Sequence, residues 1–275
     1  LHLFTPARLP LLIWGGSTIL FTAGLIDDRH EINPATKLIA QFAAASVVVL
    51  AGYEFGPEWP AWISIPLSFL WVIGVTNAVN LLDNMDGLAA GIVAITSLLL
   101  AAFGLLTGSP APALYAVVLA GAAAGFLWYN FNPARIFMGD CGSLFLGFTV
   151  SALALAIQSA APSTGVFAVI LVPAAVMAVP IADTSLVTVS RILSGRPVSQ
   201  GGRDHSSHRL VFLGLSERSA VLSLYAVSVA FGSLALLLFF AQVEVFYAVG
   251  IYMAVGMAVL GRFLAYTNVY SETDE

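Results

Sequence analysis

Long apolar stretches, nearly free of charge, follow one another along almost the whole chain. Nine of them approach or exceed the length of a helix that crosses a bilayer core about 30 Å thick. They lie at about 9–26, 37–53, 61–82, 87–107, 112–130, 140–160, 165–192, 219–241 and 243–264. Because these stretches are continuous and do not alternate with polar residues, helices are favoured over barrel strands. The pattern predicts an all-α integral membrane protein, a polytopic bundle of about nine transmembrane helices.

The seventh stretch is too long for one straight crossing. It contains Pro173 and Pro180, which remove backbone donors, so we predict one long helix broken near these prolines. No change in composition marks a second domain. Residues 1–275 are therefore expected to form a single transmembrane domain, with 191–218 as its longest polar loop.

Composition supports a membrane location. Hydrophobic residues make up 59% of the chain and charged residues 9%, against roughly a quarter charged in soluble domains. The Lys and Arg residues form no basic stripe, which excludes a nucleic-acid binder. All of them except Arg8 fall on one side of the predicted bundle, and this excess marks the cytoplasmic face of a multi-pass protein in the plasma (inner) membrane.

Two acidic clusters lie on that side. Asp27 and Asp28 are adjacent at the end of an apolar stretch, where the helix dipole adds to their mutual repulsion and calls for a cation or a proton. The second cluster recurs every third residue around one helix end, as Asn77, Asn80, Asp83 and Asp86. Carboxylates and amides in this arrangement offer oxygen ligands for Mg²⁺ and donors for a nucleotide.

Two further clusters follow on the same side. Asn130, Arg135 and Asp140 lie between two stretches, and the glycines beside Asp140 allow backbone N–H groups to approach phosphate oxygens. The loop 191–218 gathers arginines and the histidines His205 and His208, which suit a pyrophosphate.

In this order the four clusters resemble the motifs of the polyprenyl-phosphate N-acetylhexosamine-1-phosphate transferase family, which includes phospho-MurNAc-pentapeptide translocase. The family's DD pair is matched at 27–28, its NxxNxxDxxDG run at 77–87, its NxxPAxxFMGDxGS run at 130–143 and its histidine loop at 205–209. The resemblance implies transfer of HexNAc-1-phosphate from a UDP-HexNAc to a membrane polyprenyl phosphate. The products would be polyprenyl-diphosphate-HexNAc and UMP, in the first membrane step of cell-envelope glycan synthesis.

The resemblance also implies roles for individual residues. Mg²⁺, with Mn²⁺ as the alternative ion, would be held by Asp140 and Asp83. The residues expected to act in catalysis are Asp27, Asp28, Asp83, His205 and His208. Those expected to bind the lipid phosphate or the nucleotide sugar are Lys37, Asn77, Asn80, Asp86, Asn130, Arg135, Phe137, Arg203 and Arg209.

The sequence departs from the family at two points. The histidine loop usually reads HxHH, whereas Ser207 stands here in place of the middle histidine, so we expect Ser207→His to be tolerated. Family members typically have more than nine spans, so we expect the chain to lack the first spans. Whether the protein forms a homodimer stays open.

Two other classes of membrane protein stay open as alternative functions. A Mg²⁺-dependent membrane prenyltransferase also uses aspartate-rich helices, but it pairs its acids as DxxxD twice. A polytopic transporter would place charges near the middle of the bilayer, where Asp183 alone lies.

Overall fold

The computed structural model describes residues 8–160, 166–197 and 202–239, together with five isolated positions between 251 and 262. The described part is helical and contains no strand, which confirms the predicted all-α fold. Its helices are α1 (Leu9–His30), α2 (Pro34–Val49), α3 (Ala61–Leu82), α4 (Leu88–Leu106), α5 (Pro110–Asn130), α6 (Gly139–Ala160), α7 (Val166–Val176), α8 (Ala178–Leu193), α9 (Ser206–Phe212) and α10 (Glu217–Phe239).

Helix α6 lies at the centre of the bundle and packs against α1, α3, α4 and α5. Small residues allow α1 to lie directly on it. A Cβ atom added at Gly16 would come within 2.1 Å of the Phe148 ring, and one at Gly24 within 2.5 Å of the Asp140 backbone. The glycines of α1 therefore set how closely the acidic end of α1 approaches the start of α6.

Six helices are long and apolar enough to cross a membrane: α1, α3, α4, α5, α6 and α10. The seventh predicted span is the pair α7–α8, bent by 83° beside Met177, with Pro173 one turn before the bend and Pro180 in the first turn of α8. The predicted broken helix is thus confirmed. The count of nine is not confirmed, because α2 has only 16 residues and the ninth span, 243–264, falls almost wholly outside the described residues.

Side-chain contacts define two ends of the bundle. At one end, Lys37 of α2 meets Asp140 of α6. At the other end, the backbone N–H of Glu54 donates to Ser159 Oγ across 2.9 Å, and Ser64 donates to the Glu54 carboxylate. The four polar clusters gather at the first end, called the site end below, as the alternation of loops predicts.

Candidate active site

Lys37 lies at the centre of the site end. Its ammonium group forms ion pairs with Asp27 and with Asp140, whose Oδ2 lies 2.5 Å from Nζ. Asn33 caps α2 by accepting from the backbone N–H of Ala35, and this cap fixes the start of the helix that carries Lys37. One cation therefore joins two acidic motifs that lie far apart in the sequence.

Asp28 holds the other side of Asp140. Its two carboxylate oxygens accept from the backbone N–H groups of Asp140 (2.7 Å) and Cys141 (3.1 Å), so it caps the N-terminus of α6. Gly139 has φ +64°, and a Cβ atom there would lie 2.8 Å from Asp28 Oδ2. The adjacent acids thus differ: Asp27 pairs with Lys37, whereas Asp28 holds a helix end.

The amides of α3 also contact this centre. Asn80 donates from Nδ2 to Asp140 Oδ1 (2.9 Å) and to Ser143 Oγ (2.8 Å). Asn77 instead exchanges two hydrogen bonds with Gln41 of α2, at 2.8 and 3.0 Å. Asn77 therefore ties α2 to α3, and its predicted contact with substrate stays a prediction that these bonds do not support.

Asp83 lies just beyond the end of α3, and its carboxylate has no hydrogen-bond partner among the described residues. The pKa of the Asp83 carboxyl is raised to about 6. Burial is the largest cause, and the negative charges of Asp140, Asp28 and Asp86 add to it. It lines a cavity of about 180 Å³ together with Asn84, Met85, Asp86, Asn130, Phe137 and Met138. An unpaired acid among other acids, open to a cavity, is a place where a cation would be stabilised.

Other predicted residues shape the wall of this cavity. Asn130 is buried and bonded on both sides: Nδ2 donates to the Ile136 carbonyl (2.9 Å), and Oδ1 accepts from the Gly87 N–H (3.1 Å). Asp86 accepts from the backbone N–H of Ala134 at 2.9 Å. Both residues therefore hold the loops around the cavity.

Two predicted residues on the loop between α5 and α6 lie on the surface. Arg135 is exposed, and Phe137, which lines the cavity, is 79% exposed. A flat aromatic ring at a polar rim suits stacking on a nucleotide base.

The histidine loop is folded onto α8. His205 Nδ1 lies 2.7 Å from Asp183 Oδ2, and Asp183 Oδ1 accepts from the backbone N–H and the hydroxyl of Ser206, both at 2.6 Å. The His205 and His208 rings lie 6.1 Å apart, so α9 brings the two histidines together as predicted. Asp183 is thus part of this loop's hydrogen-bond network.

The described residues contain no partner for the buried Nδ1 of His208. The pKa of His208 is lowered, mainly by burial and then by the nearby charges of His205 and Arg203. The negative charges of Asp183 and Asp204 offset only part of this decrease. His208 is therefore suited to act as a neutral donor or acceptor, while the exposed Arg203 supplies positive charge.

Arg209 differs from its predicted role. It is fully buried, and its guanidinium donates to the Asp204 carbonyl (2.8 Å) and to Ser190 Oγ (3.0 Å). Arg191 forms a two-pronged ion pair with the Asp204 carboxylate. These arginines hold the loop in shape, and contact between Arg209 and substrate stays a prediction that its burial does not support.

Ser207 joins the loop to the acidic cavity. It is fully buried, and its hydroxyl donates to Asn84 Oδ1 across 2.7 Å. All four predicted clusters are thus linked at one end of the bundle.

Comparison with known proteins agrees with this arrangement. The family model described as glycosyl transferase family 4 matches residues 10–158. This chain belongs to glycosyl transferase family 4. The family resemblance predicted from the order and spacing of the motifs is therefore confirmed.

Three bacterial relatives of this glycosyl transferase family 4 member illustrate the similarity. A "probable undecaprenyl-phosphate N-acetylglucosaminyl 1-phosphate transferase" of Bacillus subtilis is 35% identical over 81% of this chain and 64% of the relative. A "decaprenyl-phosphate N-acetylglucosaminephosphotransferase" of Mycobacterium tuberculosis is 34% identical over 97% of the chain and 73% of the relative. A "phospho-N-acetylmuramoyl-pentapeptide-transferase" of Heliobacterium modesticaldum is 36% identical over 55% and 53%. The chain thus spans less than two thirds of the first of these relatives.

The acids of this family 4 site fit a hard divalent cation by donor type. Asp140 and Asp83 offer carboxylate oxygens of the kind that Mg²⁺ takes, and Mg²⁺ usually needs only one or two carboxylates beside water and phosphate. No group of three Asp, Glu, His or Cys side chains in the described ranges is arranged to hold a metal ion. The residues therefore fit a metal shared with a bound phosphate better than an ion held by protein alone.

Sequence reasoning missed two members of this family 4 site. Ser143 bonds to Asn80 and Asp183 bonds to His205, yet neither was predicted to bind substrate or to act in catalysis. Asp183 did carry a signal, because an acid inside an apolar stretch needs a partner. What the sequence lacks is the identity of that partner.

Proposed function

We propose that the protein transfers N-acetylhexosamine 1-phosphate from a UDP-HexNAc to a membrane polyprenyl phosphate, with Mg²⁺ as the ion. The observation that carries this proposal is the convergence of Asp27, Lys37, Asn80 and Asp140, from four helices, beside the cavity at Asp83. The names of the relatives favour UDP-N-acetylglucosamine as the donor to test first.

In the proposed reaction, an oxygen of the lipid phosphate attacks the phosphorus that bears the sugar. The bond from that phosphorus to the bridging oxygen breaks, and UMP leaves with the electron pair. Approach of a monophosphate to a diphosphate is opposed by charge, so cations at the site are required. Mg²⁺, held by Asp140 and Asp83, would neutralise part of that charge when bound.

Lys37 would bind the lipid phosphate. The ammonium lies between two acids, near the end of α1 and the start of α6, and a phosphate can take the place of one of them as its partner. Asp27 would keep Lys37 in position, while Asp28 holds the backbone of Asp140. Phe137 would stack on the uracil, with His205, His208 and Arg203 near the diphosphate and the sugar.

The excess of Lys and Arg at the site end favours a cytoplasmic active site in the plasma membrane. This orientation matches the compartment in which nucleotide sugars are made. Cys141 follows Asp140 directly and is a partly exposed residue. A thiol reagent that cannot cross membranes should label Cys141 in inverted vesicles and spare it in whole cells.

The transporter alternative loses its main support, because Asp183 is bonded to His205 and Ser206 at the site end.

Purified protein supplied with UDP-GlcNAc, polyprenyl phosphate and Mg²⁺ should release UMP, and omission of the lipid or addition of a chelator should stop the release. No UMP from any UDP-HexNAc under these conditions would overturn the proposed function.

A further inference from the structure

Asp183 is an acid in α8 that is only 2% exposed. A buried carboxylate in an apolar helix is costly unless it is paired or hydrogen-bonded. Within the described part of the chain Asp183 makes three hydrogen bonds, all to two consecutive residues of the histidine loop: Oδ2 to the His205 ring, and Oδ1 to the backbone N–H and hydroxyl of Ser206. The two oxygens thus serve different groups.

The bond to the ring determines where a proton of His205 lies. An ionised carboxylate can only accept, so Nδ1 carries a proton whether the imidazole is neutral or charged. The Nδ1···Oδ2 distance of 2.7 Å holds the ring in one orientation. Nε2 is then the nitrogen left for other contacts.

We propose that Asp183 is a positioning residue for His205: it fixes the ring and keeps a proton on Nδ1, so that Nε2 can accept a hydrogen bond from an O–H or N–H group of the nucleotide sugar. This inference rests on the proposed function for the identity of that substrate. The assignment of the proton to Nδ1 is independent of the proposed function.

A purely structural role would also explain the burial, since Oδ1 accepts from the first turn of α9. Asp183→Asn separates the two roles. The backbone N–H of Ser206 can only donate, so it keeps the amide oxygen on its side. The amide NH₂ then faces His205 Nδ1 and requires that nitrogen to accept, which moves the ring proton to Nε2.

Ser206→Ala is the matched control. It removes one of the two bonds to Oδ1 and leaves the bond between Asp183 and His205. If Asp183 only holds α9, this variant and Asp183→Asn should behave alike.

The experiment measures UMP release and thermal unfolding for the wild type, Asp183→Asn, Ser206→Ala, His205→Ala and the double variant at 183 and 205. We expect Asp183→Asn to lose about a hundredfold in turnover, the scale of proton-transfer and orientation effects, at a wild-type unfolding temperature. Ser206→Ala should stay within about fivefold of wild type, the equivalent of one neutral hydrogen bond. In the His205→Ala background, Asp183→Asn should add no further loss.

Full turnover of Asp183→Asn, or an equal loss with and without His205, would overturn the inference. Full turnover of His205→Ala would also overturn it, while UMP release by the wild type would leave the proposed function intact. If the wild type releases no UMP, the proposed function fails and the proton assignment is decided by the spectroscopic test alone.

That test uses ¹⁵N-histidine NMR on the wild-type protein in nanodiscs, with His205 identified by its loss in His205→Ala. A proton on Nδ1 is expected, and it should move to Nε2 in Asp183→Asn. A wild-type His205 protonated on Nε2 alone would overturn the inference whatever the activity measurements show.

Discussion

For the replacement of Ser207 by histidine, the family pattern and the structure predict different outcomes. The family's usual HxHH pattern predicts that Ser207→His is tolerated. The structure predicts the opposite, because Ser207 is fully buried and its hydroxyl donates to Asn84 Oδ1 at 2.7 Å. We therefore expect the histidine variant to be less stable and less active.

The size of the effect follows from two changes. An imidazole ring in a filled site overpacks it, which costs about 1–3 kcal/mol. The bond to Asn84 is lost as well, at about 1 kcal/mol. Together these destabilise the loop by about 2–4 kcal/mol, and an effect of that size lowers the unfolding temperature by several degrees.

The assay is thermal unfolding in detergent, with UMP release measured on the same samples. Ser207→Ala is the matched control, since it loses the hydrogen bond without adding volume and should cost about 1 kcal/mol. Asn84→Ala should cost less in the Ser207→Ala background than in the wild type, because the bond between the two side chains is then already absent and only the bond from Asn84 to the Leu81 carbonyl is lost. If Ser207→His unfolds at the wild-type temperature with full activity, the burial of Ser207 does not govern the loop and the reasoning fails.

Three further predictions concern the charged groups. Asp140→Asn and Asp83→Asn keep side-chain size but remove a charged oxygen, so turnover should fall at least about 10²-fold with normal unfolding temperatures, and the apparent affinity for Mg²⁺ in titrations of UMP release should weaken. Lys37→Ala should raise the KM for polyprenyl phosphate more than that for the UDP-sugar, because the cation would bind the lipid phosphate. His208→Ala should impair use of the UDP-sugar, measured as a fall in kcat/KM for the nucleotide.

Each of these has a result that would contradict it. Normal turnover and Mg²⁺ dependence in both aspartate variants would remove the metal assignment. A rise in KM confined to the nucleotide would exclude the lipid role of Lys37, for which the exposed Arg29 provides a control when changed to alanine. An unchanged kcat/KM in His208→Ala would exclude a role of His208 in the use of the nucleotide sugar.

Much of the fold could be read from the sequence because the apolar stretches are continuous. The prediction for 61–82 coincides with α3. The error at the start of α2 has a local cause: Asn33 and Pro34 form a helix start, so the helix begins at 34 rather than at 37. It ends at Val49 rather than at 53, before Gly52, whose φ of +98° is not helical. The bend beside Met177 could be placed only near the two prolines.

The candidate site was predictable as a set of residues but not as a set of contacts. Alternation of spans placed the four clusters on one side, and the structure brings them together at one end. Contacts such as Ser207 with Asn84, 123 residues apart, depend on how helices pack, which spacing along the chain does not encode. Residue type alone also could not show that Arg209 lies buried among loop groups or that Asn77 pairs with Gln41.

The cap that Asp28 places on α6 has a consequence for the cost of catalysis. Asp140 is held through its backbone by Asp28 and through its side chain by Lys37 and Asn80. A carboxylate fixed from both directions has few orientations to lose when substrates arrive, so little binding energy goes into ordering it. The entropy cost of ordering Asp140 is therefore already included in folding. An Asp28→Ala variant, which removes the cap, should bind its substrates more weakly, because their binding must then also order Asp140.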